Sequence, residues 1–161
     1  MKVECSTPST SSLNAFFIKA AELMKAYILR ALTKLGEESV ARVRDRSQDV
    51  SWIDHTGNLR SSIGYAVYDY GVKYMQSAFN TVRNGSEGRS EGMRLVNDLA
   101  KEYSNVYALV VLAGMDYASY VEAIKNKDVL ESTRLWALSV VDERLNRAKE
   151  EAIKVINSWS I

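Results

Sequence analysis

The sequence predicts an α+β domain: a small antiparallel sheet of three to four strands packed against two long helices, N- and C-terminal, plus a short helix. Three observations carry that expectation. Apolar residues recur at three-and-four spacing over 13–35 and again over 138–159, the mark of helices with one buried face. From Ile63 the period changes to two, as in a strand. Residues 106–113 form an almost unbroken apolar run closed by Gly114, which fits a buried strand better than a helix.

The 161 residues suit a single domain, 1–161. A chain of that length buries roughly 70% of its unfolded surface, so one core can hold it without staples. A formal net charge of +1 with interspersed signs gives no bulk electrostatic reason to bind nucleic acid or an anionic membrane. The sole cysteine, Cys5, admits no internal disulfide. No apolar run reaches signal-peptide length at the start, nor the ~20 residues that span a bilayer. Asn84-Gly85-Ser86 matches a glycosylation sequon that carries no weight without a secretion route.

Residues 1–10, Ser/Thr-rich and holding the only proline, Pro8, read as a flexible arm that could order against a neighbouring subunit. Ser11 or Ser12 is the expected cap of the first helix. Leu13, Phe16, Phe17, Ala20, Leu23, Met24, Tyr27, Ile28, Ala31 and Leu35 share its apolar face, and Val40 and Val43 resume it. Gly36 costs about 1 kcal/mol in a helix interior, so the helix expected over about 12–46 has its place for a bend there. Residues 47–54 connect, with Val50, Trp52 and Ile53 tucked against the core.

Thr56 is the expected cap and Gly57 the permissive backbone position for one helical turn over 58–61, with Leu59 inward. Ile63 then opens the first strand. Ile63, Tyr65 and Val67 lie on one face; Ala66, Tyr68 and Tyr70 lie on the other. Both faces are apolar or aromatic, so one packs on helices and the other is partly covered. Asp69-Tyr70-Gly71 is the expected hairpin turn, and 72–81 the returning strand with Tyr74, Met75 and Phe79. Residues 82–92, with Gly85, Gly88 and Gly92, read as a flexible loop. Met93, Leu95, Val96 and Leu99 predict a short helix to about Tyr103. The run 106–113, apolar on both faces, is expected as a central strand.

Asp128, with Glu131 three residues on, is the expected cap of the last helix. Its seam is Leu138, Val141, Leu145, Ala148, Ala152, Val155 and Trp159. That seam fits a coiled coil or an ordinary layer of two helices over a sheet; the second suits an α+β chain of this length.

Two stretches carry a resemblance. Thr56-Gly57-Asn58-Leu59-Arg60-Ser61-Ser62-Ile63 resembles the T-G-x-L-R-x-S-I signature of tail-completion, or head–tail joining, proteins of long-tailed bacteriophages. Tyr117-Ala118-Ser119-Tyr120-Val121-Glu122 resembles a second segment of that family, although Ala123-Ile124 stands where many members have G-T. The resemblance covers roughly 13–157. It implies a long helix before the first motif and an antiparallel sheet after it. It further implies a structural virion protein of the neck: a ring, hexamer or dodecamer, between the head connector or adaptor and the tail-tube or tail-terminator proteins, assembled in the host cytoplasm. Neither a membrane nor a specific nucleic-acid sequence is implied as a partner.

The residues for chemistry are sparse. His55 is the only histidine; beside Asp54 it could act as a base with an orienting carboxylate, but adjacent side chains on a connector rarely hold that geometry. No second imidazole completes a metal site. Cys5 has no nearby histidine, there is no G-x-S-x-G elbow, and the 85–92 glycines lack a phosphate-loop ending. No enzyme activity, cofactor or metal is expected. Eight of the nine tyrosines lie between Tyr65 and Tyr120. They could stack bases, but with little basic charge on the strands they suit core and protein interface better. The candidate interface residues are Tyr68, Tyr70, Tyr74, Arg83, Arg89, Glu91, Tyr117 and Tyr120, with Arg83 and Arg89 facing either a DNA conduit or acidic partners. The competing reading is a non-viral α+β binding module that presents a tyrosine-rich sheet to a protein or nucleic acid.

Overall fold

The computed structural model describes residues 8–47, 51–124 and 127–160. The fold is α+β, with two long helices, shorter ones, and a three-stranded antiparallel sheet. Residues 1–7, which hold most of the expected arm, and Val50 lie outside the described residues.

Helix α1 spans Thr10–Arg44. Its cap is Ser9, one turn earlier than the sequence suggests: the Ser9 hydroxyl accepts from the Ser12 N–H at 3.1 Å. Arg42 and Arg44 in the last turn face the negative end of the helix dipole. The helix runs through Gly36 without interruption. The reason is packing, since a Cβ there would lie 2.5 Å from the Tyr65 ring. Gly36 lets α1 sit down on the sheet.

Helix α2, Asn58–Ser61, is the expected single turn, with Leu59 buried. Strand β1, Ile63–Asp69, follows and pairs with β2, Val72–Gln76. Tyr70 and Gly71 both take positive φ, 49° and 81°, the geometry of a two-residue hairpin. The returning strand stops at Gln76, short of the expected 81. Ser77 ends the ladder: its hydroxyl accepts from the Tyr65 N–H at 3.1 Å. Phe79 then turns, at φ 50°, into the core.

The expected loop over 82–92 is helical from Ser86. Helix α3 spans Ser86–Leu99 and ends in a 3-10 turn, Ala100–Tyr103. Its glycines are contact points. A Cβ on Gly88 would overlap the Asn58 carbonyl, and one on Gly92 would meet the Phe79 ring at 2.5 Å.

Strand β3, Tyr107–Ala113, pairs with β1. The strand order is β2-β1-β3, so β3 is an edge and β1 is central. This overturns the central placing of the apolar run. Its two apolar faces are explained by the layers above and below. Leu109 and Val111 join Leu29, Leu32, Tyr65 and Val67 under α1. Ala108, Val110 and Leu112 join Tyr68, Phe79 and Val96 on the α3 side.

After the short helix α4, Ala118–Ala123, comes α5, Glu131–Asn157. Its opening is held mainly by Glu122, which accepts from the N–H groups of Val129 and Leu130 at 3.2 and 2.7 Å. Asp128 accepts from the Ser132 N–H at 3.2 Å. Glu131 reaches forward to Arg134 instead of completing a capping box. Helix α5 runs antiparallel along α1. Arg46 meets Asp128 at 2.8 Å, Arg144 meets Glu38 at 2.9 Å, and Phe16 meets Trp159 edge-on with centroids 5.9 Å apart. Of the two long helices only α1 lies squarely on the sheet; α5 flanks it. A third cluster, Val43, Trp52, Leu59, Ile63 and Val129, closes one end. Ile53, expected in that core, is 55% exposed.

Candidate assembly surfaces

The joint around α2 is a structural clasp. Asp54 is buried, and its two carboxylate oxygens accept from the N–H groups of Gly57 and Arg60 at 2.9 and 3.1 Å. Those bonds cap the turn. The Thr56 hydroxyl adds only a 3.2 Å bond from the Asn58 N–H. Ser61 binds the Val82 N–H at 2.8 Å, and the Asn58 amide donates to Glu87 at 2.8 Å. Both Asp54 oxygens accept from backbone donors, and among the described residues no hydrogen bond joins Asp54 to His55. Among the described residues no group of three His, Cys, Asp or Glu side chains could hold a metal ion.

The candidate interface residues scatter. Tyr68 is fully buried, stacks on Tyr103 at 5.8 Å and donates to the Val96 carbonyl. It is a core residue, and burial followed by the neighbouring Tyr103 pushes its phenol pKa up. Arg83 is tied to the carbonyl oxygens of Asp54 and His55, so it braces the joint. Glu91 pairs with Arg94 at 2.7 Å along α3. Arg89 is exposed on the same helix.

Tyr70 stands exposed at the hairpin tip, edge-on to Tyr107 at 5.1 Å. Tyr74 is exposed on β2. Tyr117 is partly exposed beside the joint, its pKa raised by burial and then by the charges of Asp54 and Glu87. Tyr120, on α4, is 71% exposed. No hydrogen bond joins any two of the eight among the described residues.

The two sheet edges differ. Strand β2 has five residues, carries Lys73 and is bulged opposite Val67 and Tyr68. Short length, a lysine and a bulge are the features that blunt an edge. Strand β3 has seven residues with no charge, and its register with β1 is continuous from Ala113 to Tyr107. Gly114 donates to the Ser62 carbonyl and Tyr70 to the Val106 carbonyl, each at 3.1 Å. In an antiparallel ladder this phase turns the N–H and C=O of Tyr107, Leu109 and Val111 away from β1. Among the described residues nothing bonds to them.

That outward edge lines a groove of about 570 Å³. Leu32, Leu35 and Ser39 of α1 form its floor, and Ala137, Leu138 and Val141 of α5 face β3 across it. Leu138, the first residue of the expected buried seam, is 59% exposed here. A second apolar area lies at the far end of the helices. No residue of α1 before Leu29 is fully buried, and Phe17 and Ile18 stand out into solvent.

Sequence reasoning missed the groove because an apolar run reports burial of its faces, not which strand lies beside it. The signal available was Leu135 and Leu138 preceding the part of α5 that pairs tightly with α1 at Ala148 and Ala152. No helix among the described residues is long and apolar enough to cross a membrane. Set against family models, curated proteins and solved structures, the chain finds no match.

Proposed function

We propose that the chain is a structural subunit of the neck of a long-tailed phage virion, a ring-forming head–tail joining protein without enzymatic activity. The observation that carries the reading is a pair of different apolar surfaces on one subunit: the β3 groove and the Phe17–Ile18 end of α1. Head-to-tail contacts that close by rotation need two unlike patches of this kind. The two motif stretches support it. Thr56–Ile63 forms the clasp and opens β1; Tyr117–Glu122 forms α4, whose Glu122 holds the start of α5. Exposed Tyr70, Tyr74 and Tyr120 offer amphipathic contact area for the connector and tail proteins.

Light scattering of the purified chain, with and without portal-bearing tailless heads, tests it. A closed ring, or binding that develops on the heads and lets tails join, is the expected result. A stable monomer that ignores the heads overturns the reading and leaves the binding-module alternative.

A further inference from the structure

We propose that β3 is an acceptor edge, and that the strand it accepts is the segment 1–7 of a second copy of this chain, laid in the groove between β3 and α5. This deepens the ring reading above by naming the contact between copies, and rests on that reading only for the closing of the series.

The acceptor is defined by its hydrogen bonding and its walls. Tyr107, Leu109 and Val111 point their N–H and C=O groups into the groove, which is the requirement for strand addition. Helix α1 covers β1 and β3 from one side, while α5 is set beyond the β3 edge with Ala137, Leu138 and Val141 facing it. An added strand would therefore bury one face under α5 and leave the other face outward. A single extended segment needs no more than this row of backbone groups and the wall that α5 provides.

The segment Met1-Lys2-Val3-Glu4-Cys5-Ser6-Thr7 has the matching pattern. Met1, Val3 and Cys5 alternate with Lys2, Glu4 and Ser6, giving one apolar and one polar face at period two. Pro8 follows, which cannot donate to a ladder.

The donor must be another copy. The amino end of α1 lies against the carboxyl end of α5, at Phe16 and Trp159. From Thr10 to Leu32 on the groove floor the helix advances about 33 Å. Nine fully extended residues reach about 30 Å, so a chain's own segment cannot lie along its own groove.

The native Cys5 reports the contact in the full chain. With Ala137→Cys, mild oxidation should join Cys5 of one copy to the introduced thiol of the next, giving linked pairs and longer series on a non-reducing gel. Val3→Asp, outside the described fold, should lower the yield about tenfold by placing a charge under α5. Val141→Cys repeats the measurement one helical turn away, in case the first variant folds poorly. The inference is overturned by a bond closed within one chain, by a yield that Val3→Asp leaves unchanged, or by no bond at either position. A chain that links copies but ignores tailless heads keeps this inference and loses the neck reading. A chain that joins heads to tails without the link does the reverse.

Discussion

Gly88 shows how a residue expected for its flexibility can be present for its size. Three glycines in eight residues suggest a loop, yet Gly85, Gly88 and Gly92 recur at spacings of three and four, which puts them on one helical face. That face lies on the α2 turn, where the Asn58 carbonyl occupies the space of a Cβ at Gly88. A backbone atom cannot swing aside as a side chain can. Gly88→Ala should therefore destabilise the fold by about 1–3 kcal/mol, read as a lower urea midpoint with an unchanged slope. Helix propensity alone predicts the opposite sign, a gain of roughly 1 kcal/mol, so the experiment separates the two accounts. Tyr68 teaches a related point. Its position on the strand was legible, but a tyrosine whose hydroxyl meets the Val96 carbonyl is core, and composition does not tell it from an interface tyrosine.

Elements with a strong period were the legible ones. α1, the α2 turn, the start of β1 and the body of α5 fall close to where spacing puts them. What was not legible depends on contacts distant in sequence: the early end of β2, set by Ser77 against Tyr65, and the edge position of β3. The opening of α5 combines both. Asp128 is indeed used there, joined by Arg46, which also bonds Ser132 and Thr133 at 2.8 and 3.0 Å. Burial pushes the Asp128 carboxyl up, but the bonds from Ser132 and the Arg46 charge outweigh it, and its pKa lies below the ordinary value. A depressed carboxyl stabilises the fold fully above its unfolded value, about 3.9, and loses that contribution as pH falls through the folded value. The difference in urea midpoint between the native chain and Asp128→Asn should hold steady above about pH 5 and vanish toward pH 2. A difference independent of pH would show that the carboxylate charge plays no part.

At the scale of the molecule, the core is divided and the surface is not uniform. One cluster lies under α1, one under α3, and one closes the end near Trp52. The tip, by contrast, owes its order to a half-buried seam in which Phe16 meets Trp159 and Lys19 lies over the same indole at 4.4 Å. Phe17 touches that seam only edge-on to Phe16, with ring centroids 5.8 Å apart, and both it and Ile18 are largely exposed. The double change Phe17→Glu with Ile18→Glu should leave the thermal midpoint within a few degrees, as exposed substitutions do. If the tip is a contact surface it should also cut assembly on tailless heads, scored by the fraction of heads that acquire tails. Unimpaired joining would remove the tip from the assembly and leave the groove alone.

The unbroken passage of α1 through Gly36 has a mechanical consequence. Thirty-five residues of helix make a rod of about 52 Å, clamped to the sheet only along its second half and stiffened by α5. Such a rod is a cantilever. A push at Phe17 is not absorbed locally, because no hinge lies between the free end and the clamp. It would be passed along the rod to the clamp, where Gly36 lies against the Tyr65 ring of the central strand.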